Sequence, residues 1–255
     1  MSLPVSVVMA VFNGRKFLPV QIASVLSQLE PQDELLVIDD ASSDGSSEWL
    51  ASVNDARVHV YVNPVNTGVI KSFERGFSLA RHSILFLCDQ DDAWLPGKRS
   101  SFVNEFERDP RVLVVVSDAE LIDAQGVVTA PSFMETRGGF KGGLWSTLIR
   151  NRYLGCAMAI RGELLSVALP IPASVPMHDM WLGVLGAAFG RVSYIPFPLI
   201  QYRRHNSNVS PDKSQGWLLM LVWRIRLFAL WVRRIISQGF RLNNLRDSLI
   251  DNQKK

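Results

Sequence analysis

Cysteine is scarce in this chain of 255 residues: only Cys88 and Cys156 occur. Both stand in apolar surroundings, with neither a CxxC pair nor Cys/His spacing, which argues against a disulfide framework and a zinc site. A reducing compartment is therefore the default reading. GxGxxG is missing, which disfavours a nicotinamide enzyme, and GxxxxGK[ST] is missing, which disfavours a P-loop NTPase. The opening "MSLPVSVVMAVF" has no basic n-region and no small-residue cleavage site, so it reads as a first strand and not as a secretion signal. Charge is sparse at 20%, while 47% of residues are hydrophobic, so the chain can bury a substantial core. The net charge of +3 hides one marked asymmetry. No acidic residue occurs between Asp212 and Asp247, where Arg224, Arg226, Arg233, Arg234 and Arg241 all fall.

What is present is a repeated alternation. "VSVVMAVF", "ELLVIDD", "VHVYVN" and "SILFLCD" are apolar, β-branched runs of strand length, suited to strands buried on both faces. Between them lie segments with helical spacing: "NGRKFLPVQIASVLSQ", which opens on an Asn13-Gly14 turn; "ASSDGSSEWLASV", with Ser43 or Asp44 as N-cap; and "GVIKSFERGFSLA". Four such alternations predict a parallel α/β sheet covered by helices. Ligands bind such sheets beyond the carboxyl ends of the strands. Asn13, Asp39-Asp40, Asn63 to Gly68 and Asp89 to Asp92 all stand at those ends and are expected to converge on one crevice. Beyond residue 100 the order changes. "VLVVVSDAELID" reads as a strand, "GVVTAPSF" as its hairpin partner, and "GGFKGG" as a connection with no period.

The stretch "FLCDQDDAWLPGK" places Asp89, Asp91 and Asp92 within four positions, and carboxylates that close repel unless a cation sits among them. A hard divalent cation takes oxygen ligands, often one or two carboxylates plus the oxygens of a bound phosphate. In an extended chain Asp89 and Asp91 point the same way and can share one ion. An acidic loop without an ion is the plainer alternative.

Taken in order, "VSVVMAVFNGRKFLPVQIASVLSQ", "LLVIDDASSDGS", "NTGVIKSFERG" and "ILFLCDQDDAWLPGK" resemble family 2 glycosyltransferases of the GT-A fold. The segments "GCAMAIRGEL", "MHDMWLG" and "GRVSYIPFPLIQYRRHNSNVS" resemble the rhamnosyltransferase-like branch of bacterial surface polysaccharide assembly. The resemblance spans about residues 4 to 210. It implies a mostly parallel central sheet flanked by helices and an inverting transfer of sugar from a UDP- or dTDP-sugar to a saccharide or lipid-linked saccharide. It also implies Mg²⁺ or Mn²⁺ as cofactor. Carried over by residue, Asp40 would accept the imide N–H of the base, supported by Asp39, and Ala10, Phe12 and Asn13 would line base and ribose. Asn66, Gly68 and Lys71 would close that pocket, with Asp89 and Gln90 beside it. Asp91 would be the main metal ligand, with Asp89 and His205 as further candidates. Asp179 would be the general base. Plainer alternatives are a turn for Asn66 to Gly68, a helix N-cap for Asp179 and a surface residue for His205. Trp94, Trp145 and Trp181 could stack on sugar, but the core reading is preferred.

The last segment, "WLLMLVWRIRLFALWVRRIISQGF", is apolar yet broken by arginines, and its uncharged runs fall far short of the roughly 20 residues a membrane span needs. Arginines interleaved with Trp217, Trp223 and Trp231 favour an interfacial amphipathic helix at a membrane surface over a helix docked on the domain. The expected organisation is thus a catalytic domain over 1–214 and a basic helical tail over 215–255, located in the cytoplasm at the inner face of the membrane. Nucleic acid is not an expected partner. The rival from another class is a nucleotide-sugar or carbohydrate binding module without turnover, against which Asp91 and Asp179 speak. A phosphohydrolase is disfavoured because the first strand ends at Asn13, not at a nucleophilic aspartate.

Overall fold

The computed structural model describes residues 2–205 and 217–251; the expected boundary between 214 and 215 lies outside the described residues. Four strands alternating with three helices open the chain: β1 (Val5–Val11), α1 (Leu18–Leu26), β2 (Glu34–Asp39), α2 (Ser46–Ala51), β3 (Val58–Val62), α3 (Val69–Leu79) and β4 (Ile84–Asp89). After them come β5 (Ala93–Trp94), α4 (Lys98–Arg108), β6 (Val112–Ile122), β7 (Val128–Ala130), α5 (Phe133–Thr136) and α6 (Leu144–Ile149). The chain continues through β8 (Met158–Arg161), α7 (Leu165–Ala168), α8 (His178–Phe189), β9 (Arg191–Arg203) and α9 (Trp217–Asp251).

Among the described residues one sheet runs β3-β2-β1-β4-β8-β6-β9-β5, with β7 paired to β6. The half from β3 to β4 is parallel, as the alternating pattern predicts. The other half is mixed: β8 lies antiparallel to both β4 and β6, β9 is parallel to β6, and β5 is antiparallel to β9. The hairpin expected after residue 110 is β6–β7. Chain order reverses at β1, which has β2 on one side and β4 on the other, and a crevice opens beyond its carboxyl end. Ala10 stands level with Asp89, and Val11 with Asp39, so the polar clusters at those strand ends meet there.

β1 is apolar except for Ser6, whose hydroxyl donates to Glu34, because both its faces are covered; Val5, Val7, Val8, Met9 and Val11 are all buried. The helix α3 approaches it closely enough that a Cβ on Gly76 would sit 2.2 Å from Val8 Cγ1. The cap of α2 is Gly45, at φ +87°, and not Ser43 or Asp44; the Asp44 carboxylate instead accepts from Arg15 N and from Ser46. Trp94 and Trp181 belong to the core.

The helix expected in the tail is α9, and over its middle it lies on the domain. Leu227 is buried, Arg224 donates to the Ile149 carbonyl (2.8 Å), and Arg234 donates to the carbonyls of Val167, Leu169 and Pro170 (2.7–3.0 Å). The Arg234 guanidinium also stacks on Trp181, 5.4 Å from the ring centroid. Two of the five arginines counted toward a lipid surface are therefore spent on backbone carbonyls. Ile225 and Ile236 stay exposed, and Phe228, also exposed, stands with its ring centroid 6.0 Å from that of the exposed Trp145 of α6. Among the described residues no helix is long and apolar enough to cross a membrane.

Candidate active site

Beyond β1 the turns are tied to one another by side chains. Gln90 accepts from Phe12 N (2.8 Å) and donates to Phe12 O (3.0 Å), clamping the end of β1 to the end of β4. A Cβ on Gly14 would stand 2.3 Å from Gln90 Oε1, so a larger residue there would displace the Gln90 side chain from that clamp. Asn13, at φ +51°, donates its N–H to Ser42 Oγ and accepts from Ser43 N (2.8 Å). Asp39 accepts from Ser42 N, Ser42 Oγ and Ser47 Oγ. Asp40 receives four donors: Asn63 Nδ2 (2.6 Å), Thr67 N, Thr67 Oγ1 and Gly68 N (2.7 Å). Burial pushes its pKa up, but these bonds outweigh that and hold the carboxyl below its ordinary value. Gly68, at φ +87°, lets the loop turn its N–H onto Asp40.

The aspartates after β4 meet a different environment. Asp89 is pushed well up by burial and then by the charges of Asp92, Asp91 and Asp179. Asp92 is fully buried and also raised by burial and Asp91; its Oδ1 accepts from Arg203 N (2.9 Å), while Oδ2 has no partner among the described residues. The cation beneath them is Lys98, the first residue of α4, with no exposed surface. Its ammonium donates to the Cys156 carbonyl (2.5 Å) and lies 4.8 Å from the Trp94 ring centroid. Burial lowers it to about 8, against the pull of Cys156, Cys88, Asp92 and Asp89. One buried lysine does not offset these carboxylates.

Asp89, Asp92 and Cys156 offer ligand atoms within 4.8 Å of one another. Cys156 suits a hard cation poorly, because burial raises its pKa well above the ordinary thiol value and keeps it protonated. The oxygen set on the cleft side, Asp89 with Asp91, fits Mg²⁺ or Mn²⁺ better. His205 Nε2 stands 2.8 Å from Asp91 Oδ2, its ring stacked on Phe17 at 4.8 Å.

Across the cleft stands Asp179, in the first turn of α8. It does not cap the helix, whose N-cap is Met177. Its Oδ1 accepts from Met180 N (2.6 Å) and its Oδ2 from Gly155 N (3.2 Å). Burial raises it to about 6, more than these bonds lower it. His178 beside it is buried, stacks on Phe73 at 4.2 Å and has no hydrogen-bond partner for either ring nitrogen among the described residues. Burial lowers it to about 4, so the ring is neutral. Between these walls lies a cleft of about 510 Å³, with carboxylates from two distant parts of the chain facing it.

Residues 6–161 match the family described as glycosyl transferase family 2. This chain belongs to that family. An uncharacterized glycosyltransferase of Nostoc sp. is 25% identical over 220 residues, covering 80% of this chain and 66% of its own length, just under two thirds. The UDP-Glc:alpha-D-GlcNAc-diphosphoundecaprenol beta-1,3-glucosyltransferase WfgD of Escherichia coli is 24% identical over 217 residues, covering 82% of this chain and 80% of its own. The crystal structure of S. aureus TarS 1-349 in complex with UDP-GlcNAc has the same fold, with a TM-score of 0.66 at 15% identity over 92% of this chain and 73% of that one.

Of the positions expected from sequence, this glycosyltransferase brings Ala10, Phe12, Asp40, Asn66, Gly68, Asp89, Gln90, Asp91 and Asp179 to the cleft wall. Asn13 and Asp39 instead tie loops behind it, and Lys71 points to solvent and pairs with Glu74 (2.5 Å). His205 reaches the site through Asp91. Trp145 is exposed and off the cleft, so it forms no sugar platform there. Sequence reading did not assign Lys98, Gly155, Met177 or Tyr202. For Lys98 a signal was present: a lysine six residues after three aspartates, in the apolar context "AWLPGK". For the other three no local signal exists, because they come from segments brought in by the mixed half of the sheet.

Proposed function

We propose that this enzyme is a metal-dependent, inverting glycosyltransferase that moves a sugar from a UDP- or dTDP-sugar to a saccharide or lipid-linked saccharide in surface polysaccharide biosynthesis. The observation that carries the reading is the meeting, in one cleft, of Asp89 and Asp91 with Asp179, whose carboxyl sits near 6. A carboxylate with that pKa is ionised at neutral pH and more basic than a surface aspartate. Asp179 takes the proton of the acceptor hydroxyl as its oxygen bonds to the anomeric carbon. The bond from that carbon to the diphosphate oxygen breaks, and the nucleoside diphosphate leaves with the electron pair. Mg²⁺ or Mn²⁺ held by Asp91, with Asp89 and His205 beside it, would supply charge neutralisation for the diphosphate. The loops bonded to Asp40 form the base and ribose side, with Ala10 and Phe12 offering backbone. A pure binding module is disfavoured, since it gains nothing from a buried, raised carboxylate opposite the metal ligands.

Calorimetry of UDP with and without Mn²⁺ tests this. Wild type should bind more tightly with the ion, and Asp91→Asn should lose that dependence, since an amide offers a neutral oxygen where an anionic ligand is needed. Metal-dependent affinity that is unchanged in the variant would remove Asp91 from the site.

Membrane association is the second part of the proposal, and the docking of α9 narrows it. The side that would face lipid carries the exposed Ile225 and Ile236 with Arg226 and Arg233, and would hold the enzyme at the inner face of the membrane near lipid-linked acceptors. Each cation near an anionic leaflet contributes about 1 kcal/mol. Flotation with anionic vesicles should capture the protein at low salt and release it at high salt. Protein that stays in the soluble fraction at low salt would leave α9 as a docked helix only.

A further inference from the structure

A second cavity, of about 320 Å³, adjoins the cleft. Leu154, Met177, Asp179 and Tyr202 line both, so the two spaces meet at Asp179. What distinguishes the second cavity is cationic. Arg137, just after α5, and Arg204, just after β9, line it. Arg137 is half-buried, stacks on Phe133 with 5.0 Å to the ring centroid, and has no carboxylate within ion-pair distance among the described residues. Arg204 donates to the Tyr202 hydroxyl (2.8 Å). Arg152 packs behind, donating to the carbonyls of Arg137 (3.2 Å) and Arg150 (3.5 Å). Burial and then the charges of Arg150, Arg204 and Arg152 lower the pKa of Arg137. Among the described residues the only acidic side chain lining this space is Asp179, at its mouth.

We propose that this cavity holds the acceptor and selects one that carries an oxyanion, a phosphate or a carboxylate, with Arg137 as the specificity-determining residue. This rests on the reading of Asp179 as the base, since it is Asp179 that joins the two spaces. Guanidinium groups suit planar or tetrahedral oxyanions because their N–H donors form a fixed fork. A neutral sugar would leave the half-buried charge of Arg137 without a carboxylate among the described residues, whereas an anion offsets it and its own desolvation together. The shared chemistry has two sources, the phosphate that joins a sugar to a carrier and the carboxylate of a uronic acid.

Ligand-observed NMR titrations with glucose 1-phosphate, glucuronate and methyl glucoside, in EDTA so that no metal–diphosphate site competes, separate these. At least one anion should bind roughly tenfold or more tightly than methyl glucoside, and Arg137→Gln should abolish that advantage. Preference for glucose 1-phosphate names the phosphate, and preference for glucuronate the carboxylate. UDP titrated with Mn²⁺ should bind Arg137→Gln as it binds wild type, which shows that the variant is folded. Equal binding of all three sugars, or an anion preference that survives in Arg137→Gln, would overturn the proposal. Failure of UDP to bind wild type would instead overturn the donor reading of the neighbouring cleft.

Discussion

The two walls of the cleft treat carboxylates in opposite ways. On the wall built from β1 to α3, Asp39 and Asp40 are surrounded by N–H and O–H donors from adjacent loops, and Asp40 is held below its ordinary pKa. On the wall built from β4, β5 and α8, Asp89, Asp92 and Asp179 have fewer donors, feel one another's charge or deep burial, and are all raised. The first kind of carboxylate builds the loops and is already satisfied. Of the second kind, Asp89 and Asp179 are left with unspent basicity facing the space where a substrate or cation goes, while Asp92 is fully buried. A buried charge that the protein does not satisfy costs stability and is retained where it does chemistry.

The contrast is broken most severely at Asp179. Asp179→Asn keeps shape but loses the basic oxygen, so transfer should fall by roughly 10²- to 10⁴-fold while UDP affinity stays unchanged. Near wild-type transfer in a folded variant would move the base elsewhere. Asp118 would be a poor substitute, because it already accepts from Ser132 Oγ, Ala119 N and Met134 N. On the other wall the expectation inverts. Asp40→Ala leaves the donors of Asn63, Thr67 and Gly68 without their acceptor, which should cost about 3 kcal/mol in urea unfolding and weaken UDP binding. Unfolding that matches wild type would show that the loop does not depend on this carboxylate.

The smallest effect sharpens the comparison through pH. Asp179 acts in its ionised form, so the transfer rate should rise with pH below about 6 and level off above it. Its carboxyl is raised, so this acid limb lies above the range of an ordinary aspartate. The residual rate of Asp179→Asn should lack the limb. A wild-type profile flat from pH 5 to 8 would contradict the assignment.

How much of this was legible depends on which contacts were local. β1 to β4 announce themselves because strands covered on both faces need apolar runs such as Val7 to Val11, and the aspartates and turns follow directly at their ends. Asp179 was legible only through its resemblance to a family pattern, since nothing near "MHDMW" says what it faces. β5, two residues long, and β8, inserted between β4 and β6, have no pattern of their own; their places depend on pairings with residues about 40 to 110 positions away. Arg137 stands before glycines 138 and 139 in a segment with no period, so its cavity could not be read. In the tail, composition alone cannot tell an arginine that meets a headgroup from Arg234, which meets three carbonyls of its own chain.

Those carbonyls carry a further meaning for α9. Ile149 ends α6 and Val167 lies in α7, helices of six and four residues that are too short to persist alone. Each presents unpaired carbonyl dipoles at its carboxyl end, and there Arg224 and Arg234 supply both positive charge and donors. The tail is in this sense a splint for two fragments of secondary structure. The segment from α6 to α7 includes Tyr153 and Leu154, which line the second cavity. Removing α9 would therefore loosen the acceptor side even in a membrane-free assay, whereas Arg226 and Arg233, on the far side of the same helix, can be neutralised without drawing out the splint.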